Sequence, residues 1–129
     1  MSGKVLLDTN IIIALFANDE KIKINLAKTS EVFIPSIVIG ELFYGAYKSA
    51  RVKENIVKIE EFTSQSIILR CDTETSRIYG ETKYVLSIKG KPIPENDIWI
   101  AAIAIQHDLM LISRDAHFNE VSKLKSEAW

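Results

Sequence analysis

Apolar residues fall along this chain in short blocks set apart by polar or turn-forming residues. Val5-Leu6-Leu7 is closed by Asp8-Thr9-Asn10, which predicts a buried strand followed by a helix start. Ile11 to Ala17 is apolar nearly all round, the pattern of a helix buried under a sheet. Asn18-Asp19-Glu20 breaks it, and a more polar helix is predicted over Lys21 to Lys28. Glu31 to Ile34 predicts a second strand, stopped by Pro35, with Ser36 as N-cap of a helix from Ile37 to about Tyr47. Val52, Ile56, Ile59 and Thr63 share one helical face, flanked by Val57 and Phe62. Ser66 to Leu69 predicts a third strand. Asp72 or Thr73 caps a helix whose apolar residues Ile78, Tyr79, Val85 and Leu86 recur at a spacing of seven. Gly90, Pro92 and Pro94 punctuate a turn. Glu95-Asn96-Asp97 opens a helix apolar on every side through Ile105, Asp108 ends it, and Leu109 to Ile112 predicts a fourth strand. The tail adds a short edge strand.

Strands alternating with helices imply βα units and hence a parallel, helix-covered sheet. The expected fold is a three-layer α/β/α sandwich with a central parallel sheet. At 129 residues, without repeat or linker, residues 1–129 are expected to form one domain. The 47% hydrophobic content supplies a core and excludes a disordered chain. With 16 Lys and Arg against 17 Asp and Glu, the net charge is -1, so bulk charge does not attract nucleic acid; local patches or bound cations must. The single Cys71 excludes an internal disulfide and a Cys-rich zinc site. The longest apolar run, Ile98 to Ile105, falls short of the roughly 18 residues that span a membrane. Met1-Ser2-Gly3-Lys4 leads into the first strand with no secretory pattern, so a soluble, cytoplasmic protein without membrane contact is expected.

Most of the seventeen carboxylates sit among polar neighbours and belong to a solvated surface. Four do not. Asp8 lies between Leu6-Leu7 and Ile11-Ile12-Ile13, Glu41 within Ile37-Val38-Ile39-Gly40-Glu41-Leu42-Phe43, Asp97 before Ile98-Trp99-Ile100, and Asp115 just after the fourth strand. Open parallel sheets bind ligands beyond the carboxyl ends of their strands. Asp8 and Asp115 follow two such ends, Glu41 rides the helix after a third, and a helix returning antiparallel to the strands begins at the same edge with Asp97. Each acid also has an ordinary explanation: a helix cap for Asp8, a helix-dipole partner for Asp97, an Asx turn for Asp115, a salt bridge for Glu41. Together they point elsewhere. Two carboxylates about 4 Å apart, at an effective dielectric near 20, repel by about 4 kcal/mol. Either some are protonated or a cation sits among them. Oxygen donors without Cys or paired His select a hard ion, Mg²⁺ or Mn²⁺. Two divalent ions would turn the net charge from -1 to +3, which suits a phosphodiester substrate.

Asp8-Thr9-Asn10 after an N-terminal strand, Pro35-Ser36 leading to Glu41-Leu42, Asn96-Asp97-Ile98-Trp99-Ile100-Ala101-Ala102, and Ser113-Arg114-Asp115-Ala116-His117-Phe118 resemble the motifs of the PIN-domain ribonucleases. Within them the chain is similar to the small VapC-like toxins of toxin–antitoxin pairs, from Val5 to Trp129. The resemblance implies an α/β/α sandwich, a Mg²⁺ or Mn²⁺ site and endonucleolytic cleavage of RNA. It further implies a homodimer and a small antitoxin protein that blocks the site. It makes Asp8, Glu41, Asp97 and Asp115 the acidic quartet, with Asp8 and Asp97 as direct metal ligands. Thr9, Asn10 and Ser113 would orient water or the carboxylates. The implied chemistry is in-line attack on the phosphodiester by water that a metal has acidified. It needs neither His107 nor His117, which are expected at a helix end and in a loop.

Arg114, adjoining Asp115, is the candidate phosphate contact; Lys48, Arg51, Lys53, Lys83, Lys89 and Lys91 are expected to be solvated. Leu42, Phe43, Tyr44 and Tyr47 exceed what one helix face buries, which leaves some of them for a partner chain or the core. A receiver-type phospho-acceptor domain is the main alternative, but it wants paired early acids and a late strand-end Lys, neither of which is evident. A dehalogenase-type phosphatase wants Asp where Asn10 stands, and a nucleotide-binding module wants a Gly-rich first loop. A catalytically silent PIN fold acting as a binding module is the remaining alternative.

Overall fold

A computed structural model describes residues 3–129; Met1 and Ser2, part of the stretch read as lacking a secretory pattern, lie outside the described residues. Five strands form one sheet in the order β3-β2-β1-β4-β5, with every neighbouring pair parallel. In chain order the elements are β1 (Lys4–Leu7), α1 (Thr9–Phe16), α2 (Glu20–Ala27), β2 (Glu31–Pro35), α3 (Ser36–Tyr47), α4 (Val52–Ser64), β3 (Ile67–Leu69), α5 (Thr73–Lys89), α6 (Glu95–Gln106), β4 (Met110–Ile112), a 3₁₀ turn (Ala116–Glu120) and β5 (Ser126–Glu127). The chain builds outward from β1 through β2 to β3, then crosses back to place β4 on the other side of β1. That reversal puts the switch point of the sheet between β1 and β4. The α/β/α architecture matches the sequence expectation.

Consecutive residues Val5, Leu6 and Leu7 are all buried. Because successive strand side chains point to opposite faces, helices must cover both sides of the sheet. Ile98, Ile100 and Ala101 to Ala104 are likewise buried, so α6 is the central helix its all-round apolarity predicts. α1 is not. Only Ile11 and Ile12 are buried, and Ile13 is largely exposed, so an apolar sequence here supplies both core and surface.

Two local expectations change at the next level. Ser36 is the first residue of α3 rather than its cap; Pro35 holds that place with no side-chain hydrogen bond, its fixed φ leading the chain from β2 straight into the helix. In α5 the buried stripe is Thr75, Ile78, Thr82 and Leu86, while Val85 is exposed and Tyr79 half-buried against the Trp99 ring, 3.9 Å between centroids. Thr75 can be buried because its hydroxyl bonds to Asp72 and Gln106. Asp72 closes a reciprocal capping box with Thr75, and Gly90 ends α5 with φ 69°, a conformation that side-chain-bearing residues resist. Among the described residues no helix is long and apolar enough to cross a membrane.

Candidate active site

β1 and β4 are paired in register through Leu7 and Ile112, so the residues that follow them emerge side by side. The Asp8 N–H donates to the Ile112 carbonyl at 3.0 Å, carrying the pairing one residue past β1. Asp8 then caps α1: its Oδ1 accepts from the Thr9 N–H at 2.8 Å. Its Oδ2 accepts from Ser113 Oγ at 2.7 Å. Ser113 Oγ also accepts from the Asp115 N–H at 3.0 Å and the Asn10 amide at 3.4 Å. One buried hydroxyl thus ties the ends of both strands together. Asn10 completes the link by accepting from the Arg114 N–H at 3.2 Å.

Glu41 enters from α3. It lies a turn and a half into that helix, and Thr9 Oγ1 donates to its Oε1 at 2.8 Å. Asp97 enters from the first turn of α6, and Asp115 caps the 3₁₀ turn by accepting from the His117 N–H at 2.9 Å. The ordinary roles considered for Asp8 and Asp115 are therefore real, and they coexist with convergence: the caps are what hold the carboxylates at the sheet edge.

The electrostatics record that convergence. Burial pushes the Asp97 carboxyl up to about 6, reinforced by Asp8 and Asp115, opposed by His117 and raised further by Glu41. Burial also raises Asp8; the Ser113 and Thr9 hydrogen bonds oppose it, and Glu41 and Asp115 add to it. Asp8, Asp115 and Glu41 each act on Asp97, and Glu41 and Asp115 on Asp8, a coupling that isolated surface acids would not show. The two partial solutions available to such a cluster are a retained proton or a bound cation, and an oxygen-rich set with an upshifted member fits a divalent ion.

His117 is the residue that sequence reasoning set aside. Its Nδ1 lies 2.9 Å from Asp115 Oδ1 and 3.6 Å from Asp97 Oδ2. Donor atoms of Asp97, Asp115 and His117 all lie within 4.8 Å of one another. The available signal was its place two residues after Asp115, where the turn that caps on Asp115 carries the ring back over the carboxylate. Arg114 follows Ser113 at the end of β4, and its guanidinium is engaged: Nε donates to the Trp129 carbonyl at 2.7 Å and Nη2 to Asp19 at 2.9 Å. Leu42 is buried, whereas Tyr44 and Tyr47 are 65% and 66% exposed.

These acids flank the switch point of an all-parallel sheet, and residues 5–124 match the family model of the PIN domain; the chain belongs to the PIN-domain family. It is 37% identical over 129 residues to ribonuclease VapC2 of Haemophilus influenzae, with 98% of each chain covered. It is 31% identical over 132 residues to the tRNA(fMet)-specific endonuclease VapC of Shigella flexneri, again covering 98% of each. Within the PIN domains it groups with these VapC ribonucleases. The solved structure of VapBC2 from Rickettsia felis, bound to a DNA fragment from their promoter, superposes with a TM-score of 0.90 at 32% identity over 98% of both chains.

Proposed function

We propose that this chain is a Mg²⁺- or Mn²⁺-dependent endoribonuclease, the toxin of a toxin–antitoxin pair, acting in the cytoplasm. The carrying observation is the electrostatic coupling of Asp97 to Asp8, Asp115 and Glu41, which with burial raises Asp97 to about 6. Asp8 and Asp97 would hold the ion directly, with Glu41 and Asp115 completing the acidic set. When bound, a divalent ion there acidifies water and offsets the charge of a phosphodiester.

The chain's own contribution is alignment. Ser113 and the Thr9 N–H each hold one oxygen of Asp8, which fixes the plane of its carboxylate. The Thr9 hydroxyl aims Glu41 toward the same edge, and Asn10 locks the turn after β4. Arg114 is the proposed phosphate contact, and RNA meets its guanidinium in competition with Asp19. Tyr44 and Tyr47 are exposed on α3, and separately Ile13, Phe16, Leu42, Ala46 and Ile59 line, with Glu41, a groove of about 280 Å³. The solved VapBC2 of Rickettsia felis shares this fold, and we assign this groove to a small antitoxin, whose docking beside Glu41 would block the site. A homodimer is part of the same proposal.

The decisive assay incubates the purified chain with structured RNA, including initiator tRNA, and Mg²⁺ or Mn²⁺. Cleavage that is abolished by EDTA, by Asp8→Asn and by Asp97→Asn, with the fold retained, is the expected result. Unchanged cleavage in both variants removes the assignment. The receiver alternative is tested in parallel, because it requires Asp8 to be phosphorylated by acetyl phosphate.

A further inference from the structure

We propose that His117 is a metal ligand, giving the site a nitrogen donor beside Asp97 and Asp115 that favours Mn²⁺ over Mg²⁺. The proposal rests on the metal-site reading above and specifies which ion it selects. Asp8 and Glu41 offer only oxygen. Beside Asp115 and Asp97 the donor set changes, because His117 Nδ1 stands 2.9 Å from Asp115 Oδ1 and 3.6 Å from Asp97 Oδ2. One atom from each of the three residues falls within a 4.8 Å span. An ion bonded at about 2.1 Å holds ligand atoms no more than about 4.2 Å apart, so only small side-chain adjustments bring the three onto one centre.

The ring is not there by accident of a flexible loop. Asp115 accepts from the His117 N–H at 2.9 Å, which fixes the start of the 3₁₀ turn. Phe118, the next residue, is 2% exposed and anchors the same turn in the core. With a hydrogen-bonded backbone on one side and a buried anchor on the other, the imidazole is directed at the carboxylates while its outer edge faces solvent. Without an ion Nδ1 faces Asp115 at hydrogen-bond distance, so a bound cation takes the place of the Nδ1 proton and receives the nitrogen lone pair.

Imidazole discriminates between the two candidate ions. Mg²⁺ retains oxygen ligands and water, and gains little from a nitrogen donor. Mn²⁺ shares the carboxylate preference of Mg²⁺, but as the first member of the transition series that binds nitrogen donors it gains more than Mg²⁺ from an added imidazole. A site of four carboxylates alone would separate the two ions less.

The test is equilibrium binding of Mn²⁺ to the full chain, followed by electron paramagnetic resonance, with Mg²⁺ as competitor. His117→Ala is expected to weaken Mn²⁺ binding by about tenfold or more while leaving Mg²⁺ binding within about twofold. Electron spin-echo spectra of the Mn²⁺-loaded wild type should show coupling to an imidazole nitrogen, and the variant should lose it. The wild-type spectrum needs no substitution, so it stands even if a variant folds poorly. Absence of nitrogen coupling, or equal loss of both ions in His117→Ala, overturns the proposal. If Asp97→Asn abolishes Mn²⁺ binding while His117→Ala does nothing, the ligand assignment fails and the metal site stands. If wild type binds neither ion, the metal-site reading fails, and this proposal with it.

Discussion

Ser113 Oγ donates to Asp8 Oδ2 at 2.7 Å, joining residues 105 positions apart at the ends of two adjacent parallel strands. Both residues are buried, and the same hydroxyl receives the Asp115 N–H and the Asn10 amide. Ser113→Ala should therefore cost about 1–3 kcal/mol of stability, because it leaves buried polar partners unpaired. It should also lower RNA cleavage by about 10- to 100-fold through the lost alignment of Asp8. Thermal melts and a single-turnover cleavage assay separate the two effects; full activity in the variant would show that Asp8 needs no such support.

Thr9 offers a cleaner probe of Glu41, since its hydroxyl reaches that carboxylate at 2.8 Å. Thr9→Val keeps the shape and removes the donor, whereas Thr9→Ser keeps the donor. Valine should reduce cleavage about tenfold or more and serine should restore most of it. Equal activity in the two variants would separate Glu41 positioning from Thr9.

The acid cluster makes a signed prediction about pH. Asp97 protonates near 6 in the folded chain and near 3.8 when unfolded. Between those values the folded state binds more protons, so without divalent ions stability falls as pH rises through about 4 to 6. For a side chain only 14% exposed, a shift of this size corresponds to roughly 3 kcal/mol. Asp8 shifts in the same direction and steepens the loss. Asp19 and Asp72 are shifted downward, so the stability they contribute is lost only on acidification below about pH 4 and does not obscure this window. Melts in EDTA should show the decline, Asp97→Asn should flatten it, and a saturating divalent ion should offset it.

Arg114 is held by Asp19 and by the Trp129 carbonyl. If it contacts phosphate, Asp19→Asn should release the guanidinium and lower KM for RNA, while Arg114→Ala raises KM with a smaller change in kcat. Opposite or null shifts in KM would confine Arg114 to tying residue 129 to the turn before α2.

Much of the architecture was legible because hydrophobic period is a local property. The brief apolar runs, the all-round apolar α6 and the capping Asp72 each announce themselves within a few residues. Where the signal misled, the cause was also local. The polar class of Thr75 and Thr82 hid half of the buried stripe of α5, and the uniform apolarity of α1 concealed the exposure of Ile13. The four acids could be picked out by their apolar neighbours and by motif, but nothing in those segments states a distance.

The amino-acid sequence determined the α/β alternation, the helix-covered parallel sheet and the identity of four unusual carboxylates, since each follows from residue type and spacing. The tertiary structure alone decided that β4 returns beside β1, that Ser113 is shared between Asp8 and Asp115, that His117 turns onto the acids, and that Asp19 captures Arg114. Those outcomes depend on strand order and register, which bring side chains about a hundred positions apart to within hydrogen-bonding distance. No local pattern carries that information, because an electrostatic field is summed over whatever the fold places nearby.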